Sequence, residues 1–486
     1  MERDFPSAVQ FKWAAAILLA YFGLRLLFLA TSISPFIPPD ETTHFGICSI
    51  FSGYPFLPEN SASTYQYGLV TNIPWLYYWI MGKLLALNCF GVSDLIFLRL
   101  CNIPLAFALV YYLWRTLCLL SQDRLTQILL LVAATNTMML TFLSAFVSYD
   151  NLANLLAAMS IYYLVAFFRR RTPALLCASL LCQQAGCLAK VTLLPLVLAL
   201  GVVLVLHEWK NLRALPGFLL SCIRNPRAGG VALALALLAG LALNLQLYGG
   251  NYLHYRSLNP EMTDVLPLEA AMQYRLIARN HVFELYQTGK ASKQQALEMT
   301  SQIGHPGDRA DAVFMINNFE RFKSGELPKL SLPQYAWLWT QRMAAGVFGV
   351  FGHLALPANW PQIAPIALLA ALTLVALLVR WRPRDDGWIP TQLMAISASY
   401  ALYFMYQINY RGYLDSGAAF VALQGRYIFP VIGPIYLLSS IYLMRLFQGK
   451  AARLGVWMLA VGIFLVCDFP VFLARITPDW TSWPPN

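Results

Sequence analysis

The sequence predicts an all-α polytopic membrane protein with about 11 transmembrane helices. Three observations predict it. Of 486 residues, 58% are hydrophobic and only 12% charged, with a mean hydropathy of +0.56. Such a balance belongs to membrane proteins and not to soluble domains. Apolar runs of the length that crosses a bilayer, roughly 20 residues, recur along the chain. The net charge of +11 sits in short loops between those runs. Cytoplasmic loops have this pattern, and it removes nucleic acid from the expected partners.

The elements follow in order. Arg3 and Lys12 precede the first apolar run, 13–30. The run is longer than a signal-peptide core and more spans follow, so it reads as an uncleaved first helix. Further spans are read at 96–114, 125–146, 151–168, 174–188, 190–207, 230–248, 362–380, 389–408, 427–446 and 454–473. Basic clusters lie at Arg115 and Arg124 and within 169–171, 210–227, 380–384 and 445–453. These spans put every cluster on the cytoplasmic side, with the N-terminus in and the C-terminus out.

Residues 72–90 (NIPWLYYWIMGKLLALNCF) are also apolar. A crossing there would invert the topology and expose 169–171 outside. The segment is therefore expected along the outer interface, with Trp75, Tyr77, Tyr78 and Trp79 in the aromatic belt and Lys83 snorkelling.

This gives three regions. Residues 1–248 form a transmembrane module with juxtamembrane helices in 31–95. Residues 249–361 form an outward segment with amphipathic helices, a turn at 304–307 and an interfacial helix at 335–351 carrying Arg342. Residues 362–486 return as C-terminal transmembrane helices. The nine cysteines fall mostly in apolar runs without CxxC spacing, as buried small hydrophobes do. Cys48 and Cys89 are the two placed to meet outside the membrane.

Four features collect on the outward face. In "PPDETTH", Asp40 and Glu41 stand beside each other just past the first span, with His44 after them. A solvated turn with both carboxylates at a helix N-terminus explains them equally well. In Ser148-Tyr149-Asp150-Asn151 a second carboxylate lies in a tight turn, where Ser148 also suits an N-cap. Lys190 interrupts "CLAKVTLLPL" and reads either as a functional cation or as a snorkelling turn residue. "QGRYIFP" brings Arg426 and Tyr427, with Arg411 upstream, to loops otherwise poor in cations. The alternative is an anchor on lipid phosphates. Together, carboxylates able to accept a proton and cations able to hold a phosphate leaving group suit transfer from a lipid-linked phosphate donor.

The order of these residues resembles the GT-C superfamily of integral membrane glycosyltransferases. The resembling features are Asp40-Glu41-Thr42-Thr43-His44 as D-E-x-x-H, Pro74-Trp75-Leu76-Tyr77-Tyr78 as a P-x-L-Y-Y-like segment, a helix led by Arg99, then Asp150 and Lys190. The resemblance covers about residues 10–210. Farther on, "FGVFGHLALPANWP" and "QGRYIFP" are similar to a bacterial branch that also carries PPDE-x-x-H.

The resemblance implies a GT-C fold and a polyprenyl-phosphate or polyprenyl-diphosphate sugar donor used on the non-cytoplasmic side, with inversion. It implies Asp40 as general base, and Glu41 and Asp150 as residues that orient acceptor or sugar. Lys190, Arg411 and Arg426 would hold the lipid phosphate. His44 would contact that phosphate or support Asp40, and Tyr77, Tyr78 and Tyr427 would line the substrate site. A divalent metal held by Asp40, Glu41 and His44 is the alternative, because metal use varies in the superfamily. Asn72 departs from the family's usual second histidine or lysine, so that phosphate contact has no assigned residue. The implied setting is a bacterial inner membrane with the site facing the periplasm and an envelope glycan or lipid, such as lipopolysaccharide, as acceptor. A polytopic transporter or lipid flippase is the competing reading, and a non-catalytic scaffold the third. Transporters place ionisable residues mid-membrane on broken helices in repeated halves, and no halves are visible here.

Overall fold

A backbone in lipid must satisfy its own hydrogen bonds, so apolar runs of this kind form helices. The computed structural model describes residues 6–61, 63–224, 228–349, 360–383, 387–420 and 423–481, and among them there is no β-strand. Arg3, Arg227, Arg384 and residues 350–359 of the "FGVFGHLALPANWP" stretch lie outside the described residues.

The first module runs α1 (Ala8–Ser32), α2 (Glu41–Ser52), α3 (Leu76–Leu85), α4 (Asp94–Leu120), α5 (Arg124–Thr135), α6 (Met138–Ser144), α7 (Tyr149–Arg170), α8 (Pro173–Ala189) and α9 (Leu193–His207). The starts of several are written locally. Ser7 and Gln10 close a capping box on α1, Ser93 caps α4 and Asp123 caps α5.

Each expected span meets a helix, though not always a straight one. Seven described helices are long and apolar enough to cross a membrane, or up to nine if two bent pairs count as one span each. Pro173–Ala189 is a shorter apolar helix. The run read as one span at 125–146 breaks between α5 and α6 with a 63° bend. Thr135 and Thr137 mark the break, and their hydroxyls bond back to Leu131 and Ala133 carbonyls.

The helix α3 has 10 residues, so it is about 15 Å long, half a hydrocarbon core. That length accords with a helix that does not cross. The Lys83 ammonium donates to the carbonyls of Phe51 (3.0 Å) and Tyr54 at the end of α2, where a helix leaves carbonyls unpaired. The two helices pack so closely that a Cβ on Gly82 would stand 2.7 Å from Phe51 Cβ and 2.9 Å from the Cys48 carbonyl. Cys48 is buried, Cys89 is exposed, and both are free thiols, so they do not meet in a disulfide.

Two spans lie at the centre. The apolar windows of α7 and of Gly425–Leu446 are each 83% buried, against 6–33% for the other five. α7 packs on α4 and α8, and the 3₁₀ turn Gly425–Val431 packs on α7. The polar stretch between 249 and 349 has its own small core that includes Val282, Phe283, Ala296, Ile303, Ala312 and Ile316, built by Arg275–Gln287, Lys293–Thr300 and Pro306–Lys323. The turn expected at 304–307 ends earlier, because Pro306 already starts a helix, the position proline favours. The helix expected at 335–351 is Leu332–Phe348, begun by a Ser331–Gln334 capping box.

Candidate active site

The turn after α1 carries Pro38 and Pro39, whose rings stiffen it. Asp40 follows in the left-handed region, φ 57° and ψ 13°. An aspartate tolerates this better than most residues, yet it stores strain, and such positions cluster at functional sites. The Asp40 carbonyl starts α2 by accepting from His44 N–H at 3.0 Å. Its carboxylate does not cap that helix. It accepts instead from Arg426 Nη2 at 2.6 Å and keeps 36% of its side chain exposed.

Glu41, one residue on, is placed differently. It is 1% exposed. Arg99 grips it from Nε (2.8 Å) and Nη2 (2.5 Å), and the Val147 N–H donates to it at 3.0 Å. Burial pushes the Glu41 carboxyl up, against the opposing pull of Arg99 and of that N–H. Arg99 also donates from Nη1 to the carbonyls of Ala30 and Ile33 at the end of α1. The pair thus ties α1, α2, α4 and the turn before α7, and no Glu41 oxygen faces an opening.

Asp150 enters from the other side. Ser148 caps α7, and its hydroxyl accepts from Asp150 N–H at 3.2 Å, so the N-cap reading holds together with a second role. Asp150 is 1% exposed. Lys190, in the turn between α8 and α9, donates to it. Lys190 is 5% exposed, so it does not snorkel outward. It turns in because its Cα stands at the C-cap of α8, facing the start of α7.

Arg426 joins the two halves. Its Nη1 lies 3.5 Å from Asp150 Oδ2, its Nη2 holds Asp40, and Nε donates to Gln424 Oε1 at 2.6 Å. Close backbone approach seats it. A Cβ on Gly346 would stand 2.7 Å from the Gly425 nitrogen, so helix Leu332–Phe348 runs backbone to backbone with "QGR". The cluster balances two carboxylates, Asp40 and Asp150, against two cations, Lys190 and Arg426.

Aromatic rings wall it. Lys190 Nζ stands 4.7 Å from the Tyr149 ring centroid and 5.3 Å from that of Tyr427. His44 packs edge-on against Tyr149 at 4.4 Å, and its Nδ1 pairs with the Tyr78 hydroxyl at 2.8 Å. Burial lowers the His44 pKa to about 4, so its ring is neutral at physiological pH. Burial pushes the Tyr78 hydroxyl well above the usual range. His44 Nε2 is buried without a hydrogen-bond partner among the described residues.

Other expected residues lie apart. Tyr77 is buried and donates to Asn102 Oδ1 at 3.1 Å, where Asn151 also donates, so it ties α3 to α4 and α7. Arg411 is exposed at the start of Arg411–Ser416, and no described hydrogen bond or ion pair joins it to the cluster. Asn72 exchanges amide hydrogen bonds with Asn60 (2.5 Å) and Asn251 (3.0 Å) beside a cavity of about 490 Å³. It does not reach Asp40 or Arg426 through any described bond. Among the described residues no group of three His, Cys, Asp or Glu side chains could hold a metal ion. Asp40, Glu41 and His44 are adjacent in sequence but aim at Arg426, Arg99 and Tyr78.

Sequence reasoning missed Tyr149 as the ring between His44 and Lys190, and Arg99 as the partner of Glu41. It also missed a buried pair, Arg25 with Asp468. Arg25 donates as well to the Thr135 carbonyl at 2.5 Å, a carbonyl at the α5/α6 break. A lone arginine in "FGLRLLFL" and a lone aspartate in "LVCDFP" were the available signal, since an unpaired charge in lipid demands a partner.

No protein-family model matches the chain, nor does any curated protein. Three solved structures align with it. One is the archaeal oligosaccharyltransferase AglB from Archaeoglobus fulgidus, in complex with an inhibitory peptide and a dolichol-phosphate, at 10% identity and TM-score 0.49. It covers 94% of this chain, and this chain spans 55% of its length. The others are ArnT from Cupriavidus metallidurans, apo at 12% identity and bound to undecaprenyl phosphate at 14%, both at TM-score 0.35. They cover 94% and 96% of this chain, and 78% and 81% of theirs is covered.

Proposed function

We propose that the chain is a GT-C-type membrane glycosyltransferase. It moves a sugar from a polyprenyl-phosphate or polyprenyl-diphosphate donor to an envelope glycan or lipid, on the periplasmic face of a bacterial inner membrane, with inversion. The observation that carries this reading is Asp40: a carboxylate in a strained turn, partly open to solvent, held at 2.6 Å by Arg426. Lys190 stands on the far side of that arginine, through Asp150.

The chemistry follows from what each group can do. The donor phosphate competes with Asp40 for Arg426 and with Asp150 for Lys190. As Arg426 turns to the phosphate, Asp40 Oδ2 becomes free to take a proton. The acceptor hydroxyl or amine gives that proton to Asp40 and attacks the anomeric carbon. The carbon–oxygen bond to phosphate breaks on the opposite face, and its electron pair leaves on the phosphate. Arg426 and Lys190 stabilise the charge that develops there. Asp150 keeps Lys190 aimed, and Glu41 acts at a distance by fixing the turn that presents Asp40. His44, neutral and with no Nε2 partner among the described residues, would accept from or donate to the substrate.

The test is transfer from a purified polyprenyl-phosphate-linked sugar, read by mass spectrometry of envelope glycolipids. Asp40→Asn keeps the size of the side chain and removes the proton acceptor, so transfer should fall by at least about 10²-fold while the protein still inserts. Full activity in that variant refutes the assignment of the base. Solute uptake into proteoliposomes with no glycosylated product would establish the transporter reading in its place.

A further inference from the structure

A second cavity lies far from Asp40. It measures about 480 Å³, and its lining includes Asp123, Thr126, Arg380, Arg445, Gln448 and Arg453. These residues come from the ends of four packed helices: the start of α5 and the facing ends of Trp360–Arg380, Ile432–Leu446 and Lys450–Val466. Arg124, next to the cavity, donates to the Pro6 carbonyl at 2.9 Å. The cavity therefore sits at the N-terminal end of α1, whereas Asp40 follows its C-terminal end. With 25 residues in α1, the two are about 37 Å apart along that helix, one on each side of a bilayer.

Among the described lining residues, three guanidiniums accompany one carboxylate. Hydrogen bonds hold two of the three in position. Arg453 donates to the Met444 carbonyl (3.1 Å) and to Asp123 (3.0 Å), and Arg380 donates to the Leu446 carbonyl (3.0 Å). Each guanidinium has five N–H donors, so these bonds orient the groups without exhausting them. Arg380 Nε is removed from water and has no hydrogen-bond partner among the described residues. The cavity lies where the apolar windows 363–380 and 425–446 end, at headgroup depth. Trp381 and Phe447 stand exposed beside it, as aromatic residues do at that level.

We propose that this cavity binds a phosphate-bearing anion, supplied by the headgroup of an anionic membrane lipid or by a soluble phosphate compound. The site is independent of the transfer chemistry at Asp40. Arginine forks suit phosphate oxygens, and basic pockets between helix ends capture acidic headgroups.

The experiment is native mass spectrometry of the full chain from nanodiscs that mix cardiolipin, phosphatidylglycerol and phosphatidylcholine. The wild type should retain the anionic lipids over phosphatidylcholine. In Arg380→Gln/Arg445→Gln the retained anionic lipid should fall about 30-fold, the equivalent of about 1 kcal/mol for each arginine. Arg279→Gln, on the outward segment, should match the wild type. A parallel arm adds inorganic phosphate or pyrophosphate in detergent and follows thermal unfolding. Stabilisation of the wild type alone, without lipid preference, assigns the site to a soluble phosphate. Should the double variant not fold, Arg445→Glu at the exposed rim takes its place, with the same expected loss. Equal lipid retention and equal phosphate response in wild type and variant overturn the proposal.

Discussion

Glu41→Gln separates a structural carboxylate from a catalytic one. In the wild type, Glu41 and Arg99 are both fully buried, and the carboxylate accepts from two Arg99 nitrogens and from the Val147 N–H. Glutamine keeps one acceptor oxygen but turns an NH₂ toward Arg99 Nη2, donor against donor across a gap now 2.5 Å wide. It also leaves a buried guanidinium without its counter-charge. Breaking one side of a buried pair costs about 3–5 kcal/mol, a large part of the stability of most proteins. Removing both charges costs less, so Glu41→Met/Arg99→Met should recover much of the loss. Thermal unfolding in detergent, read as loss of monodisperse protein, reports the cost. Sugar transfer, measured at a temperature where each variant stays folded, reports the chemistry. Glu41→Gln should show a lower midpoint and residual transfer. An unchanged midpoint refutes it, and an unchanged midpoint with abolished transfer makes Glu41 a catalytic group.

Three further outcomes are expected. His44 titrates near pH 4 when folded and near 6.5 when not, so below pH 6.5 the unfolded chain takes up a proton that the native one refuses. Stability should then fall toward pH 4 by about 3 kcal/mol from this group, and His44→Gln should flatten that part of a denaturation-versus-pH curve. If His44→Gln leaves the curve unchanged, His44 is not the buried neutral ring described. Gly425→Ala forces a Cβ into the Gly346 backbone and displaces Arg426; transfer should drop with a raised requirement for donor lipid, and wild-type kinetics would deny that the close approach seats the arginine. Membrane-impermeant maleimide on intact cells should label exposed Cys89 and spare buried Cys48; labelling of Cys89 only after permeabilisation would place the end of α3 on the cytoplasmic side.

Residue order alone made much of this molecule legible. Apolar length and basic loops are local quantities, and they identified the helices, including α3, which at 10 residues is too short to cross a bilayer core by itself. Local chemistry also marked Asp40, Asp150, Lys190 and Arg426, because polar residues between apolar runs are costly and therefore stand out. What remained hidden was pairing. Glu41 is Asp40's neighbour in sequence, but one residue around a helix start sends it to Arg99 in α4 while Asp40 reaches Arg426, 386 residues away. Arg25 meets Asp468 across 443 residues, and Arg411, equally cationic in the sequence, joins nothing in the cluster. A buried charge takes whichever partner helix packing brings within reach, and burial in turn decides which carboxylate still meets solvent. Hydropathy determined where the chain turns and where polar groups interrupt its apolar runs; only the packing of α1, α4, α7 and the Gly425–Val431 turn decided that Asp40 is open and Glu41 closed.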